Sequence, residues 1–248
     1  MALSQSTRLH YLNALGITVW QLRTVETSLI SAEQSSSTHV ETDRLPTDSW
    51  ETLRQRVIQC ERCVLCTTRT HTVFGEGNPN AKWLFIGDAP QQEDDLLGKP
   101  FVGEAGQLLT EMLRAMQLTR EEVFITNMLK CRPPHDRDPQ ADEISACRDY
   151  AFEQIALINP KIIIAFGHLS AQTLLGTHDS IEKLREKVHS FQGKPFITVY
   201  HPAYLLRSPI EKRKAWQDLQ FALQALDQTE QNTSTTPLTK HLQETQCQ

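Results

Sequence analysis

The stretch IIIAF, residues 162–166, is apolar at every position and predicts a β-strand that is covered on both faces of its sheet. Three other short apolar runs have the same character, and a helix-like segment follows each strand. The predicted strands span residues 83–86, 123–126, 162–166 and 196–200, and the predicted helices 104–116, 142–157, 169–175 and 209–226. This alternation predicts an α/β fold, a three-layer α/β/α domain around a central four-stranded parallel sheet.

The segments outside this pattern divide the chain of 248 residues further. Residues 1–30 have helical apolar spacing and predict an N-terminal helical extension, whereas the Ser/Thr-rich residues 31–47 predict a flexible linker. The main domain is expected over residues 48–228, with Asp48 as the cap of its first helix, and residues 229–248 are polar enough to predict a disordered tail.

The apolar runs of the sequence are too short to predict a membrane protein. No run approaches the roughly 18–20 apolar residues that a spanning helix needs, and the N-terminus lacks the features of a signal peptide. We therefore expect a cytoplasmic, monomeric protein with no membrane partner. The net charge of −5 neither supports nor excludes DNA as a partner, because the acidic excess lies mostly in the two terminal segments.

Four of the six cysteines form two pairs that indicate a metal or iron–sulfur site. Cys60 and Cys63 make a CxxC step, and Cys131 and Cys147 follow with fifteen residues between them. In a reducing compartment such thiols favour metal ligation over disulfides. Spacing alone does not separate a cluster from a four-cysteine zinc site, and Cys66 lies in a second CxxC step.

Polar and aromatic residues follow the predicted strands, where the carboxyl ends of a parallel sheet form a binding rim. The loop Gly87-Asp88-Ala89-Pro90-Gln91 follows the first strand, and Phe101 lies in the next loop. Asn127, Gly167-His168 and His201 follow the other three strands. This set suits a flat polar heterocycle, because an amide can match its polar edge and an aromatic ring can stack on its face. Taken singly, each residue has an ordinary structural explanation as a cap or a core residue.

Several motifs together resemble the family 4, iron–sulfur uracil-DNA glycosylases. Besides the four cysteines they are RTHTVFGEGNP (69–79), GDAPQQEDD (87–95), GKPFVGEAGQLL (98–109), ITNMLKCRPP (125–134) and YHPAYLLR (200–207). The resemblance covers about residues 54–222 and implies the uracil-DNA glycosylase fold. It also implies a 4Fe–4S cluster as cofactor, with Cys60, Cys63, Cys131 and Cys147 as ligands and Cys66 as a bystander.

The resemblance further implies hydrolysis of the N-glycosidic bond of a flipped-out uracil, in base-excision repair, with uracil-containing DNA as the partner. Phe101 would stack on the base, Asn127 would read its pairing edge, and His201 would stabilise the departing uracil anion. Asp88, with Gly87, Ala89 and Pro90, would shape the pocket and position water. Leu205, Leu206 and Arg207 would enter or brace the DNA.

The first motif departs from the family's usual GE(A/G)PG, since here it reads GDAPQ (87–91). The shorter side chain of Asp88 and the replacement of a glycine by Gln91 lead to an alternative hypothesis. In that hypothesis the chain is a catalytically weak or inactive DNA-binding member of the same superfamily. A zinc-stabilised fold without a DNA role is a third interpretation, which the colour of the purified protein would test.

Overall fold

The structure is a computed structural model, and it describes residues 49–234. The predicted extension over 1–30, the linker over 31–47 and most of the predicted tail lie outside these residues. The last helix ends at Ser234, inside the segment 229–248 that was predicted to be a tail. Among residues 49–234 we find no helix whose length and apolar character would let it span a bilayer.

A single six-stranded sheet forms the centre of the domain, with the spatial order β1-β3-β2-β4-β6-β5. The strands are β1 (Glu76–Gly77), β2 (Trp83–Gly87), β3 (Phe124–Asn127), β4 (Ile162–Phe166), β5 (His189–Phe191) and β6 (Lys194–Val199). The four inner strands are parallel and the two edge strands are antiparallel to their neighbours. The predicted α/β fold and its parallel core are therefore confirmed, but four strands was too few.

The two strands that were not predicted are both short and lie at the edges of the sheet. β1 has two residues and β5 has three, and neither contains a fully buried side chain. Such strands exist because a longer neighbour offers hydrogen-bonding groups, so their own residues carry little apolar signal. By contrast, all five residues of β2 and of β4 are buried.

Helices cover both faces of this sheet. They are α1 (Trp50–Ile58), α2 (Gln92–Leu97), α3 (Glu104–Ala115), α4 (Ala141–Ile158), α5 (His168–Leu175), α6 (Ile181–Leu184), α7 (Pro202–Arg207) and α8 (Lys212–Ser234). One apolar cluster joins β2 and β4 to α1 and α4, and a second joins the other sheet face to α3 and α8. The three-layer arrangement follows from these two cores.

Two helix starts differ from the sequence predictions. Ser49, not Asp48, caps α1, because the Ser49 hydroxyl accepts the N–H of Thr52 at 3.3 Å. The last helix begins at Lys212, since Pro209–Glu211 forms a separate turn of 3₁₀-helix. The first turn of a helix tolerates a proline, so Pro209 is compatible with the start of one long helix. The sequence alone therefore did not distinguish one helix from two.

Candidate active site

The carboxyl ends of β2 and β3 bring the first pocket residues together. Gly87 and Asn127 are register partners at the ends of these strands. A methyl group added to Gly87 would overlap the Asn127 side-chain oxygen and the Phe101 ring. A glycine is therefore required here for close packing, and the loop of Gly87 lies directly against the two residues predicted to hold a base.

Asn127 is fully buried, yet its side-chain amide is unpaired. Neither Oδ1 nor Nδ2 has a hydrogen-bond partner among residues 49–234. An unsatisfied buried polar group costs about 1–3 kcal/mol, so such groups are rare without a reason. A ligand that presents a donor and an acceptor side by side would satisfy both atoms at once.

Phe101 is held in a backbone conformation that L-residues rarely adopt. Its φ is 53°, and its carbonyl packs so closely against Gly106 that any side chain there would overlap it. Its ring stacks on His201 with centroids 5.5 Å apart, and meets Phe166 edge-on at 6.1 Å. Backbone strain of this kind persists only when surrounding contacts enforce it, and it is common at binding sites.

His201 precedes α7, and its ring orientation follows from one hydrogen bond. The backbone N–H of Ala203 donates to His201 Nδ1 at 3.2 Å. Burial lowers the pKa of His201, and the carboxylates of Asp88 and Asp94 oppose that shift. A neutral ring whose Nδ1 is an acceptor carries its proton on Nε2, so the free ring nitrogen is a hydrogen-bond donor.

The side chain of Asp88 lies at the start of α5. Its Oδ1 accepts the N–H of Ser170 at 2.7 Å, and Gly167, with φ of 95°, lies close against the same carboxylate. Burial raises the pKa of Asp88, while His201 and the Ser170 N–H oppose the shift. The carboxylate thus caps a helix and lines the pocket at the same time.

Gln91 does not need to be a glycine in this fold. Its φ is −96° and its ψ is −178°, an extended conformation that any residue adopts. It precedes α2, where its N–H donates to Asp94 Oδ2 at 3.1 Å. The departure at Gln91 therefore imposes no backbone strain, although this residue, like Asp88, lines the pocket.

The pocket itself is an open cavity of about 370 Å³. Its lining includes Asp88, Ala89, Pro90 and His201, together with Tyr204 and Arg207 of α7. His168 also borders the cavity and is exposed. Of the residues predicted to surround a ligand, Asp88, His168 and His201 border this cavity. Phe101 and Asn127 do not line it, but the Phe101 ring stacks on His201 and the Asn127 side chain lies against Gly87.

One predicted DNA contact needs correction. Leu205 is only 1% exposed and packs in the core under α7, so it does not face the pocket. Leu206 is half-buried, whereas Tyr204 and Arg207 are exposed on the pocket side of the helix. The helical period turns Leu205 inward, a feature that a carried-over motif does not reveal.

Comparison with known proteins fits this arrangement. The family described as the Uracil DNA glycosylase superfamily matches residues 74–220, which include all of these pocket residues. The chain belongs to this superfamily.

Several proteins that are similar to this chain are type-4 uracil-DNA glycosylases. That of Archaeoglobus fulgidus is 41% identical over 170 residues, which cover 65% of this chain and 85% of the relative. That of Sulfurisphaera tokodaii is 44% identical over 171 residues (65% and 78%), and that of Thermotoga maritima 42% over 160 residues (64% and 83%).

The cysteines of this superfamily member meet in one cavity between α1, α4 and the loop after β3. Cys60, Cys63, Cys131 and Cys147 line it. Cys66 borders the same cavity, so the fold does not separate it from the other four. Cys247 lies outside the described residues.

Two sulfur atoms in this cavity accept N–H hydrogen bonds. Arg69 Nη1 donates to Cys131 Sγ at 3.2 Å, and the backbone N–H of Lys130 donates to Cys147 Sγ at 3.2 Å. Burial raises the pKa of Cys147 to about 12, so this thiol keeps its proton unless a cation replaces it.

The donor set of this cavity consists of thiols, which bind both zinc and iron–sulfur clusters when deprotonated. Within residues 49–234 no group of three or more His, Cys, Asp or Glu side chains converges on one metal position.

Sequence reasoning missed the buried polar residues that support the pocket. Lys130 and Gln154 lie below Asn127, and Asp94 joins the loops that carry Gln91 and Phe101. Each of these residue types is usually exposed, so nothing in the sequence pattern marks them as buried.

Proposed function

We propose that this chain is a uracil-DNA glycosylase, which hydrolyses the N-glycosidic bond between uracil and deoxyribose in DNA. The observation that carries the proposal is the buried, unpaired amide of Asn127 next to Phe101 and His201. Uracil presents an N–H and a C=O on its pairing edge, which matches what the amide lacks. The type-4 relatives named above support the same activity.

In this mechanism Asn127 holds the pairing edge and Phe101 supports the base face. As the glycosidic bond lengthens, negative charge develops on the uracil ring. His201 Nε2 donates a hydrogen bond to a uracil oxygen that gains this charge, and its neutral form is maintained by burial. A donor fixed in advance needs no reorganisation when the bond breaks.

Asp88 acts on the sugar side of the reaction. Its ionised carboxylate stabilises the positive charge that develops on the deoxyribose and orients the water that attacks it. The water supplies hydroxide to the sugar and its proton is released, while uracil leaves with the bonding electron pair. No nucleophilic side chain is required.

Before this chemistry the base must leave the helix, at a cost of roughly a few kcal/mol. The exposed guanidinium of Arg207 at the outer end of the pocket is suited to contact a backbone phosphate. Tyr204 is exposed on the same side and offers an aromatic face to the DNA. The proposed setting is a cytoplasmic, monomeric repair enzyme.

We also propose that Cys60, Cys63, Cys131 and Cys147 hold a 4Fe–4S cluster. The support is the shared cavity and the two N–H donors directed at sulfur. When bound, the cluster supplies cross-links between loops rather than a reactive group. Because Cys131 follows Asn127 by four residues, these cross-links stabilise the loop next to the uracil-reading strand.

Release of uracil from labelled oligonucleotides tests the function. Substrates with U·G, U·A and single-stranded uracil should all lose the base, and the same oligonucleotides with thymine should not. A preparation that retains its brown cluster yet releases no uracil above background would contradict the proposal.

The second candidate, a weakly active DNA-binding member, is favoured by the hydrogen bond between Asp88 and Ser170 N. That bond holds the shorter carboxylate back at the start of α5. If it limits the rate, Asp88→Glu should raise kcat, whereas Gln91→Gly should change it little because Gln91 is already unstrained. A rate gain from Gln91→Gly alone would contradict this assignment.

A further inference from the structure

Lys130 has a buried amino group that contacts the backbone of Asn127, and the residue also lines the cysteine cavity. Its side chain is 1% exposed, and it follows Asn127 by three residues. Its Nζ donates to the Asn127 carbonyl at 2.6 Å, to Thr126 Oγ1 at 2.7 Å and to Gln154 Oε1 at 2.7 Å. All three N–H groups of the ammonium are thus used, and none of the three acceptors is a carboxylate.

This burial is costly for a residue that only fills space. Removing an ammonium group from water is expensive, and neutral acceptors offset the loss only in part. Methionine or leucine would pack the same volume at a lower cost. The position of Lys130 therefore calls for an explanation in terms of the groups that it holds.

The contact with Asn127 lies where the sheet ends. β1 pairs with Phe124 and Ile125 only, so its ladder does not reach Asn127. On the other side, the N–H of Met128 donates to the Gly87 carbonyl at 2.8 Å. The Asn127 carbonyl turns away from β2, and the Lys130 ammonium takes the place of the missing strand neighbour.

The far side of the ammonium is anchored as well. Gln154 Nε2 donates to the Phe74 carbonyl at 2.8 Å, which directs the amide oxygen of Gln154 toward Lys130. The Thr126 hydroxyl donates to the same carbonyl at 3.0 Å. The network thus connects the end of β3 to α4 and to the segment before β1.

Asn127 depends on this network because its own amide has no partner among the described residues. No hydrogen bond within residues 49–234 fixes the direction of the amide, so this direction depends on the Asn127 backbone and on the side chains packed around it. We propose that Lys130 is a positioning residue that fixes the Asn127 backbone and thereby aligns the amide with the pairing edge of uracil. The inference rests on the proposed glycosylase activity and extends it to a residue that never touches the substrate.

A double-mutant cycle between Lys130→Met and Asn127→Ala tests this directly. Single-turnover kcat/KM for uracil release should fall about 100-fold with Lys130→Met alone, the loss expected for a misplacement of about 1 Å. In the Asn127→Ala background the same change should cost no more than about threefold, since no amide remains to be aligned. Equal losses in the two backgrounds would overturn the inference.

Two controls keep the result interpretable. Ile155→Val changes the core beside Gln154 and should lower Tm without altering kcat/KM in either background. Activities are compared at equal visible absorbance per chain, because Lys130 precedes Cys131. If Lys130→Met does not fold, Gln154→Leu replaces it, and the same non-additivity is expected. A wild-type chain that releases no uracil would overturn the proposed function itself, a result distinct from equal losses.

Discussion

The pocket and the cysteine cavity differ in the hydrogen bonding of their buried polar groups, although Asn127 and Cys131 are only four residues apart. Next to the pocket, the Asn127 amide has no partner among residues 49–234, and Phe101 has a strained backbone. In the cysteine cavity, sulfur atoms accept N–H groups, and the adjacent Lys130 uses all its donors. Unpaired groups suit a ligand that comes and goes, whereas satisfied groups suit a permanent one.

The largest effect is expected from removing a thiol of the cysteine cavity. Cys131→Ser should abolish the bound cluster and most of the folded protein, because metal binding and folding are coupled. Cys66→Ser is the matched control, since Cys66 borders the same cavity but is not a proposed ligand. For both variants, iron content measures the cluster and the unfolding transition measures the folded protein. Loss of iron in Cys66→Ser with retention in Cys131→Ser would reverse the assignment.

In the pocket, His201→Ala should remove a hydrogen-bond donor that acts as charge develops. We expect kcat to fall by about 10²–10³-fold, as for the loss of one oxyanion donor. Affinity for uracil-containing DNA, measured by fluorescence anisotropy, should change little. Comparable losses in kcat and in affinity would show that the ring supports binding rather than bond cleavage.

Two neighbouring carboxylates offer a sharper comparison. Asp94 accepts the N–H groups of Gln91 and Val102, which flank the pocket loops. Asp95 accepts those of Thr70 and His71, away from the pocket. Asp94→Asn and Asp95→Asn should each cost about 2 kcal/mol in unfolding free energy, since each weakens a charge-assisted hydrogen bond.

Only Asp94→Asn should also lower kcat/KM, by about tenfold, because it loosens the loop that holds Phe101. Kinetics of uracil release and thermal unfolding on the same samples separate the two effects. An equal loss of activity in Asp95→Asn would mean that the pocket responds to global stability alone.

The smallest effect concerns the pH dependence that Asp88 introduces. Burial raises its pKa in the folded protein above the ordinary value of 3.8, so the ionised form opposes folding. Stability from this group therefore increases as pH falls through the raised pKa, while activity decreases as the carboxylate is protonated. In Asp88→Asn both dependences should disappear, and unfolding free energy at neutral pH should rise. An unchanged acid limb in kcat/KM would assign it to another group.

The parallel core was predictable because its strands are buried on both faces. IIIAF (162–166) is apolar throughout, so no exposed face had to be guessed. The edge strand β1 contains only Glu76 and Gly77, and it forms because β3 offers partners. Leu205 shows a different limit, since the side of α7 that packs inward depends on where the helix begins.

The sequence predicted the site residues that follow strands, but it did not predict the buried residues that hold those site residues in place. Asn127 and His201 end strands, and the geometry of parallel sheets places them at one rim. Lys130 lies in a loop and resembles a solvated charge in the sequence, yet two acceptors from β3 and one from α4 surround its amino group. Only the folded chain brings those acceptors together.

The most direct test of the account is the stability and activity of Asn127→Leu. Leucine keeps the branched shape of asparagine but is larger, and it has no unpaired polar atoms, so removal of the desolvation penalty should raise the unfolding free energy by about 1 kcal/mol. Uracil release should fall strongly in the same protein, as it should in Asn127→Ala. A destabilised variant that still releases uracil would contradict the claim that this amide is left unpaired in order to read the base.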